Sequence, residues 1–314
     1  MKFLKNFMIK RKNPLKKPAK KLVTHDGSFH ADDILAVATL AIYLENQGEI
    51  FEIIRTRDEG IINGADYVFD VGGVYDPTHN RFDHHQRGGV GEREGIPYAA
   101  FGLVWKKFGL AVAGAEEIAR LIERKLVMGV DANDNGVNLW KNNFTDILPY
   151  TLQDVFATFS PTALEIMTKD DQFLKALQWG TEILKREIKK TNDQIEVTKI
   201  IRNFYEKTED KRLIVINEPK VSRFEIWDAL QDFPEPVFVV YGDNLDWSVV
   251  TMRQKKNSFG SRKDFPANWG GISREELQKI TKVPDAVFCH RSLFLAVAKS
   301  KNGAIKLAQL ALSQ

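Results

Sequence analysis

Six histidines occur in the 314-residue chain, at positions 25, 30, 79, 84, 85 and 290, and five of them fall between residues 25 and 85. The same window carries Asp26, Asp32, Asp33, Asp70, Asp76 and Asp83, and the later stretch "VDANDNG" adds Asp131 and Asp134. Imidazoles and carboxylates crowded together without cysteine form the donor set of a hydrolytic Mn²⁺, Mg²⁺, Fe²⁺ or Zn²⁺ site. Such ligands leave coordination positions open for water and substrate. One ion cannot use so many donors. Four separate segments supply them, which implies a pair of ions about 3.5–4 Å apart that share a carboxylate. Asp70, at the end of a strand-like run between the other clusters, is the expected bridge. Paired ions ionise water near neutral pH and offset the charge that builds on a phosphoryl oxygen, and that is phosphoester chemistry. The chain has no Gly-x4-Gly-Lys-Ser/Thr loop and no His-Glu-x-x-His helix, so neither a nucleotide-triphosphate motor nor the common metalloprotease signature is indicated.

Taken singly, these residues have simpler uses. Asp32 or Asp33 can start the helix that follows. Asp26, Asp76 and His79 read as structural or supporting groups rather than ligands, and Asp134 stands evenly between ligand and support. Helix caps and solvated side chains do not account for four clusters at strand-like ends.

The elements that position the clusters follow from hydrophobic spacing. "KLVTH" (21–25) reads as a strand and "DDILAVATLAIYLEN" (32–46) as a helix with apolar residues at three- and four-residue intervals. "EIFEIIRT" (49–56) and "ADYVFDVGG" (65–73) read as further strands. The alternation predicts an α/β fold that begins β-α-β, with a mainly parallel sheet and functional side chains at the carboxyl ends of its strands. Residues 97–109 and 115–130 are expected to be helical, ending near "GVDANDNG", and a charged amphipathic helical stretch from about 151 to 208 is expected to join two lobes. Beyond it, "RLIVIN", "PVFVVYG", "WSVVTMR" and "AVFCH" read as strands and "SLFLAVAKSKNGAIKLAQLALSQ" as helix. The expected organisation is a basic arm (1–21), a metal-binding α/β domain (22–150), a helical connector (151–210) and a smaller α/β carboxy-terminal lobe (211–314).

Composition sets the outer limits. No apolar run approaches the roughly 20 residues of a membrane span, so no membrane association is expected. The lone Cys289 cannot form an intrachain disulfide, which suits a reducing compartment, with the cytoplasm as the default. The net charge of +3 is uneven, because nine Lys or Arg and no acid fall in residues 1–21 and the remainder is net negative. That arm reads as a mobile, solvated segment; holding a polyanion such as RNA or directing organelle import are its alternative uses.

"HDGSFHADD", "DVGG", "RFDHHQ" and "VDANDNG", in this order and spacing, resemble the DHH phosphoesterase superfamily. Within it the chain resembles the melanocyte proliferating gene 1 family of metal-dependent 3′-to-5′ RNA exonucleases, over about residues 22–314. The resemblance implies a DHH-phosphoesterase-like two-lobed fold, with the smaller lobe closing over the metal lobe and substrate in the cleft between them. It implies that His25, His30 and Asp70 hold one ion and that Asp32, Asp70, His84 and Asp131 hold the other. Mn²⁺ is the expected metal, with Mg²⁺ the alternative. His85 would face the scissile phosphate, and Asp83 would orient a histidine of its own triplet, so Asp70, Asp83, His84 and His85 form the expected catalytic group. Asp33, Asp83 and Asp134 would support the ligands.

On the substrate side, basic residues should grip phosphates. "MRQKKNSFGSRKDFPANWGG" (252–271) offers Arg253, Lys255, Lys256, Arg262 and Lys263 near Phe259, Phe265 and Trp269, and charge beside stacking surface suits a single strand. His290-Arg291 resembles a substrate-facing pair. The chain departs from the family where Gly270 replaces the Arg of a Trp-Arg-Gly and where Ala296-Val297 replaces a Gly-Gly. The expected activity is exonucleolytic cleavage of RNA or short oligonucleotides. The alternatives are a phosphatase or pyrophosphatase for small phosphate compounds, and an RNA-binding protein without catalysis. Oligomeric state is open, a homodimer included.

Overall fold

The computed structural model describes residues 18–141, 143–144, 146–218, 221–242, 245–256 and 258–314, so most of the basic arm lies outside the described residues. Strand β1 (Lys20–Thr24) buries Leu22, Val23 and Thr24 and pairs in parallel with β2 (Phe51–Arg55) on one side and β3 (Tyr67–Phe69) on the other. Parallel neighbours require a crossover. α1 (Ala31–Asn46) and α2 (Glu59–Asn63) provide the two crossovers. β4 (Tyr75–Asp76) and β5 (Arg81–Phe82) form an antiparallel ribbon around a tight turn, and β5 runs parallel to β3, giving the sheet order β2-β1-β3-β5-β4. Because β1, β3 and β5 point the same way, the residues that follow them emerge at one edge. Those residues are His25, Asp70 and Asp83-His84-His85.

α1 is apolar almost all round, from Ile34 to Leu44, and that pattern calls for cover on both sides. α3 (Ala100–Ala113), which follows the small hairpin β6 (Glu92–Arg93) and β7 (Ile96–Pro97), packs along it. α4 (Glu116–Ile122) then runs through a π-helical turn, Glu123–Val127, into α5 (Met128–Asp134). The helix expected to stop near residue 130 therefore carries both Asp131 and Asp134 on its last turns. The helical stretch expected from 151 to 208 is interrupted: α6 (Leu152–Ala157) ends before Ser160-Pro161, and α7 (Lys169–Lys207) starts afresh. Proline lacks the backbone N–H that a continuous helix needs.

The chain divides into two compact units, through Thr191 and from Asn192, with the boundary inside α7. In the second unit β8 (Leu213–Ile216), α8 (Arg223–Leu230), β9 (Phe238–Gly242), β10 (Trp247–Thr251), α9 (Arg274–Thr281), β11 (Ala286–Cys289), β12 (Leu295–Ala298) and α10 (Lys301–Ser313) follow in order. The sheet order is β11-β12-β10-β9-β8, with only β8 and β9 parallel. Both faces are covered. Phe238, Val240 and Val249 pack with Leu277 and Leu307, while Val239 and Val250 pack with Ile226 and Ile201. Residues 295–298, expected to be helical, form β12 instead, because the strand pairs with β10 on one side and β11 on the other and turns Ala296 and Ala298 into the core while Leu295 and Val297 are less covered. Sheet pairing on both edges outweighs the helical preference of alanine and leucine.

Candidate metal centre

Gly27, at φ +90°, turns the chain directly after β1, a conformation that side-chain-bearing residues rarely adopt. The turn leaves His25 buried, with its Nδ1 2.8 Å from the Asp26 carbonyl oxygen. That contact fixes Nδ1 as the N–H donor and leaves Nε2 with a lone pair. Nε2 faces Asp70 Oδ2 at 3.1 Å and Asp33 Oδ2 at 3.5 Å. Asp70 itself has φ +55°, a left-handed backbone usually reserved for glycine, and its N–H donates to the Phe82 carbonyl. Its second oxygen, Oδ1, lies 3.2 Å from His84 Nε2 and 3.7 Å from His85 Nδ1. His84 Nε2 also faces Asp134 Oδ2 at 3.3 Å. Among the described residues, three sets of donor atoms are thus close enough to hold a cation: His25, Asp33 and Asp70; Asp70, His84 and His85; Asp32, His84 and Asp134.

The residues present fit such a group. Asp33 Oδ2 and His84 Nε2 are buried without a hydrogen-bond partner among the described residues, and an orphaned buried polar atom is costly unless something satisfies it. Burial, with the charges of Asp70, Asp134 and Asp131, pushes the Asp32 carboxyl well above the ordinary carboxylate range. Burial lifts Asp33 to about 7 and also raises Asp134, where Asp70 adds repulsion. Burial opposes ionisation of Asp70 too, but His25 and His84 outweigh it and hold the carboxyl below its usual value. Burial works against protonation of His25 and His84, yet Asp70 raises both. The cluster has too many buried acids for its positive charge, and a divalent cation would supply what is missing.

Not every expected ligand reaches this gap. His30 is the residue before α1; its backbone N–H donates to Asp33 Oδ1 at 2.8 Å, while its side chain is 47% exposed and 3.8 Å from Asp134. Asp32 accepts from the backbone N–H groups of Ala100 and Phe101 at the start of α3, and still shares a set with His84 and Asp134. Asp131 is spoken for: its oxygens accept from Gly102 N at 3.0 Å and Arg93 Nη1 at 2.9 Å. Asp134, one turn on, is the carboxylate of α5 that meets His84. Asp83 accepts from the Gly73 N–H and from both the N–H and Nδ1 of His85. This leaves the Nε2 side of His85, a side chain 63% exposed, facing outward. Asp26 pairs with Arg57, and Asp76 pairs with His79 around the Pro77–His79 turn, both outside the three donor sets.

Over residues 21–312 the chain matches the family model MYG1_exonuc, described as an uncharacterised protein family (UPF0160). The chain belongs to the MYG1 family. Among MYG1 relatives it is 32% identical to the MYG1 protein of Chlamydia pneumoniae, over 92% of this chain and 95% of the relative. It is 27% identical to the MYG1 exonuclease of Homo sapiens, over 93% of this chain and 85% of the relative. It is also similar to a solved structure of RecJ in complex with Mn²⁺ from Thermus thermophilus, at 11% identity and a TM-score of 0.27, covering 94% of this chain. The chain spans about half the length of that RecJ chain (52%), and so loose an overlap assigns no residue.

The second unit of this MYG1-family chain distributes the expected substrate residues unevenly. Arg262 donates to the carbonyls of Arg253, Phe233, Pro236 and Gln231, and Lys263 donates to the Leu312 carbonyl. Both cations hold backbone together. Phe265 and Trp269, expected as stacking surface, are instead stacked on each other in the core, because they cover the face of the sheet that α9 and α10 close. Arg253, Phe259, His290 and Arg291 remain accessible in whole or part. A Cβ on Gly270 would lie 2.8 Å from Leu293 Cδ2 and 3.3 Å from the Arg291 carbonyl oxygen, so glycine lets the 290–293 turn sit close. Sequence reasoning missed two supports. Arg93, which also meets Glu123 at 2.9 Å, came without a local motif. Gln153, whose Oε1 accepts from Ala31 N beside His30, lies too far along the chain for spacing to connect them.

Proposed function

We propose that this chain is a metal-dependent phosphodiesterase that removes nucleotides from the 3′ end of RNA or short oligonucleotides. One observation carries the reading: Asp70 directs its two oxygens at two separate histidines, Oδ2 toward His25 and Oδ1 toward His84, as a carboxylate shared by two cations must. His25, Asp33 and Asp70 would hold one ion, and Asp70, His84, Asp32 and Asp134 the other, with His30 within reach of Asp134. Mn²⁺ suits these mixed nitrogen and oxygen donors, and Mg²⁺ is the second choice. When bound, a pair of such ions supplies water activation and charge stabilisation at phosphorus.

The protein's own part is positioning. Asp83 fixes the His85 ring, so that its outer nitrogen can hold a phosphoryl oxygen or carry a proton at it. The backbone N–H groups at the start of α3 hold Asp32 in place, and Asp131 with Arg93 secures the last turns of α5 behind Asp134. The exonuclease names of mammalian MYG1 relatives agree with this chemistry. The test is release of label from a 3′-labelled single-stranded oligonucleotide with Mn²⁺, alongside metal analysis of the purified protein. Wild type should bind two equivalents and release mononucleotide, and Asp70→Asn should lose metal and at least a hundredfold in rate, on the order of what loss of one key electrostatic group costs. Equal release by the variant would refute the reading.

A further inference from the structure

We propose that the second unit carries a stacking platform for single-stranded nucleic acid, built from α8 and the ends of β10, β11 and β12 and centred on Trp227. It rests on the reading above that the substrate is a single strand, and it adds where the bases sit. The starting observation is an unbroken series of rings and guanidinium groups. On α8, Phe224 and Trp227 are three residues apart and meet edge to face at 5.5 Å. The Arg253 guanidinium, just beyond β10, lies 3.8 Å from the Trp227 ring centroid and 5.9 Å from that of Phe259. Arg223 lies over Phe224 at 4.9 Å and over Phe294 at 5.9 Å. Phe294 meets the His290 ring at 4.5 Å, and His290 meets Phe288 at 6.1 Å.

Three features separate this series from ordinary packing. First, its foundation is fixed and its outer rings are free. Trp227 is buried and its Nε1–H donates to the Thr251 carbonyl at 2.7 Å, whereas Phe224 is 57% exposed and Phe259 98% exposed. Rings left in water at such exposure gain by being covered. Second, Arg223, Arg253 and Arg291 have no carboxylate within ion-pair distance among the described residues; the rings hold the first two, so their charge remains for an anion. Asp228, an acid on α8, is met by Lys256 at 3.6 Å. Third, guanidinium groups interrupt the rings from Phe259 to His290, Arg253 between Phe259 and Trp227 and Arg223 between Phe224 and Phe294. A planar base covers a ring while its phosphate meets the neighbouring cation, and that is how single strands are held with little sequence preference. A duplex keeps its bases stacked inside and gains nothing from exposed rings.

The experiment measures binding of a fluorescein-labelled 12-mer single strand and of its duplex to the full-length protein, with chelator present so that nothing is cleaved. The single strand should bind at least tenfold more tightly than the duplex. Phe224→Ala and Phe259→Ala should each weaken single-strand binding about tenfold, in line with loss of one stacked base. Arg253→Gln should lower the slope of log affinity against log salt by about 0.7, one phosphate contact on a single strand. Phe224 and Phe259 are surface residues, so unchanged melting temperatures will show that the variants fold. Equal affinity of both phenylalanine variants and wild type, or equal binding of duplex and single strand, overturns the platform. If those variants bind normally while wild type cleaves with Mn²⁺, the platform fails and the nuclease reading stands. If binding behaves as expected and no phosphodiester is cleaved, the reverse holds.

Discussion

Asp33 and Asp131 are both buried carboxylates that burial lifts to about 7, yet their surroundings give them different work. Asp33 ends in an unsatisfied oxygen facing His25, while Asp131 is enclosed by Arg93 and Gly102. For Asp33 the pH dependence follows in sign. An unfolded aspartate ionises near 3.9, so between roughly pH 4 and 7 the metal-free folded state holds the extra proton, and this group's stabilisation, complete below pH 4, is lost as pH rises toward 7. Metal ligands must be deprotonated, so stabilisation by Mn²⁺ grows over the same range. Thermal melts with Mn²⁺ or chelator should therefore show a larger gap in melting temperature at pH 7.5 than at pH 5; equal gaps would remove Asp33 from the metal site. The two acids of α5 separate as well. Asp134→Asn should lower bound metal with little loss of stability. Asp131→Asn should keep its metal but cost about 2 kcal/mol, since a buried charge-assisted hydrogen bond to Arg93 is lost while the Arg93–Glu123 pair remains, as denaturant titration will read.

At the scale of elements, α5 and α3 matter most. A Cβ on Gly102 would fall 1.9 Å from Asp131 Oδ2, so α3 approaches α5 only because residue 102 has no side chain. Gly102→Ala should destabilise by about 2 kcal/mol through overpacking, and should also weaken metal binding by moving α5; melts and metal titration check both. The strands β1, β2 and β3 and the helix α1 are legible from residue spacing, because each has a local hydrophobic period. The end of α5 is not, since Gly129 and the Asp-Ala-Asn-Asp-Asn run look like a helix stop until Asp131 is neutralised by Arg93 from the β6–β7 hairpin. Nor is β12: "LAVA" has no local feature against a helix, and only the partners β10 and β11 decide it.

For the molecule as a whole, Cys289 is a sensitive reporter. It is the chain's one thiol, buried in the core of the second unit, and burial pushes its pKa up to about 12. Thiolate is the reactive form, so the native protein at pH 8 should give no rapid reaction with a disulfide reagent and one equivalent after unfolding; a fast native equivalent would mean that this core opens readily. Among the described residues no helix is long and apolar enough to cross a membrane, in keeping with charge-broken hydrophobic segments along the sequence. By itself the sequence determined the inventory and its order: which strands end in histidine or aspartate, and that parallel strands would bring those ends to one edge. Tertiary structure alone decided which of those groups stayed available. Asp131, Arg262, Phe265 and Trp269 have the right chemistry for a site, but partners distant in sequence already occupy them, and no local pattern encodes what a side chain meets across the fold.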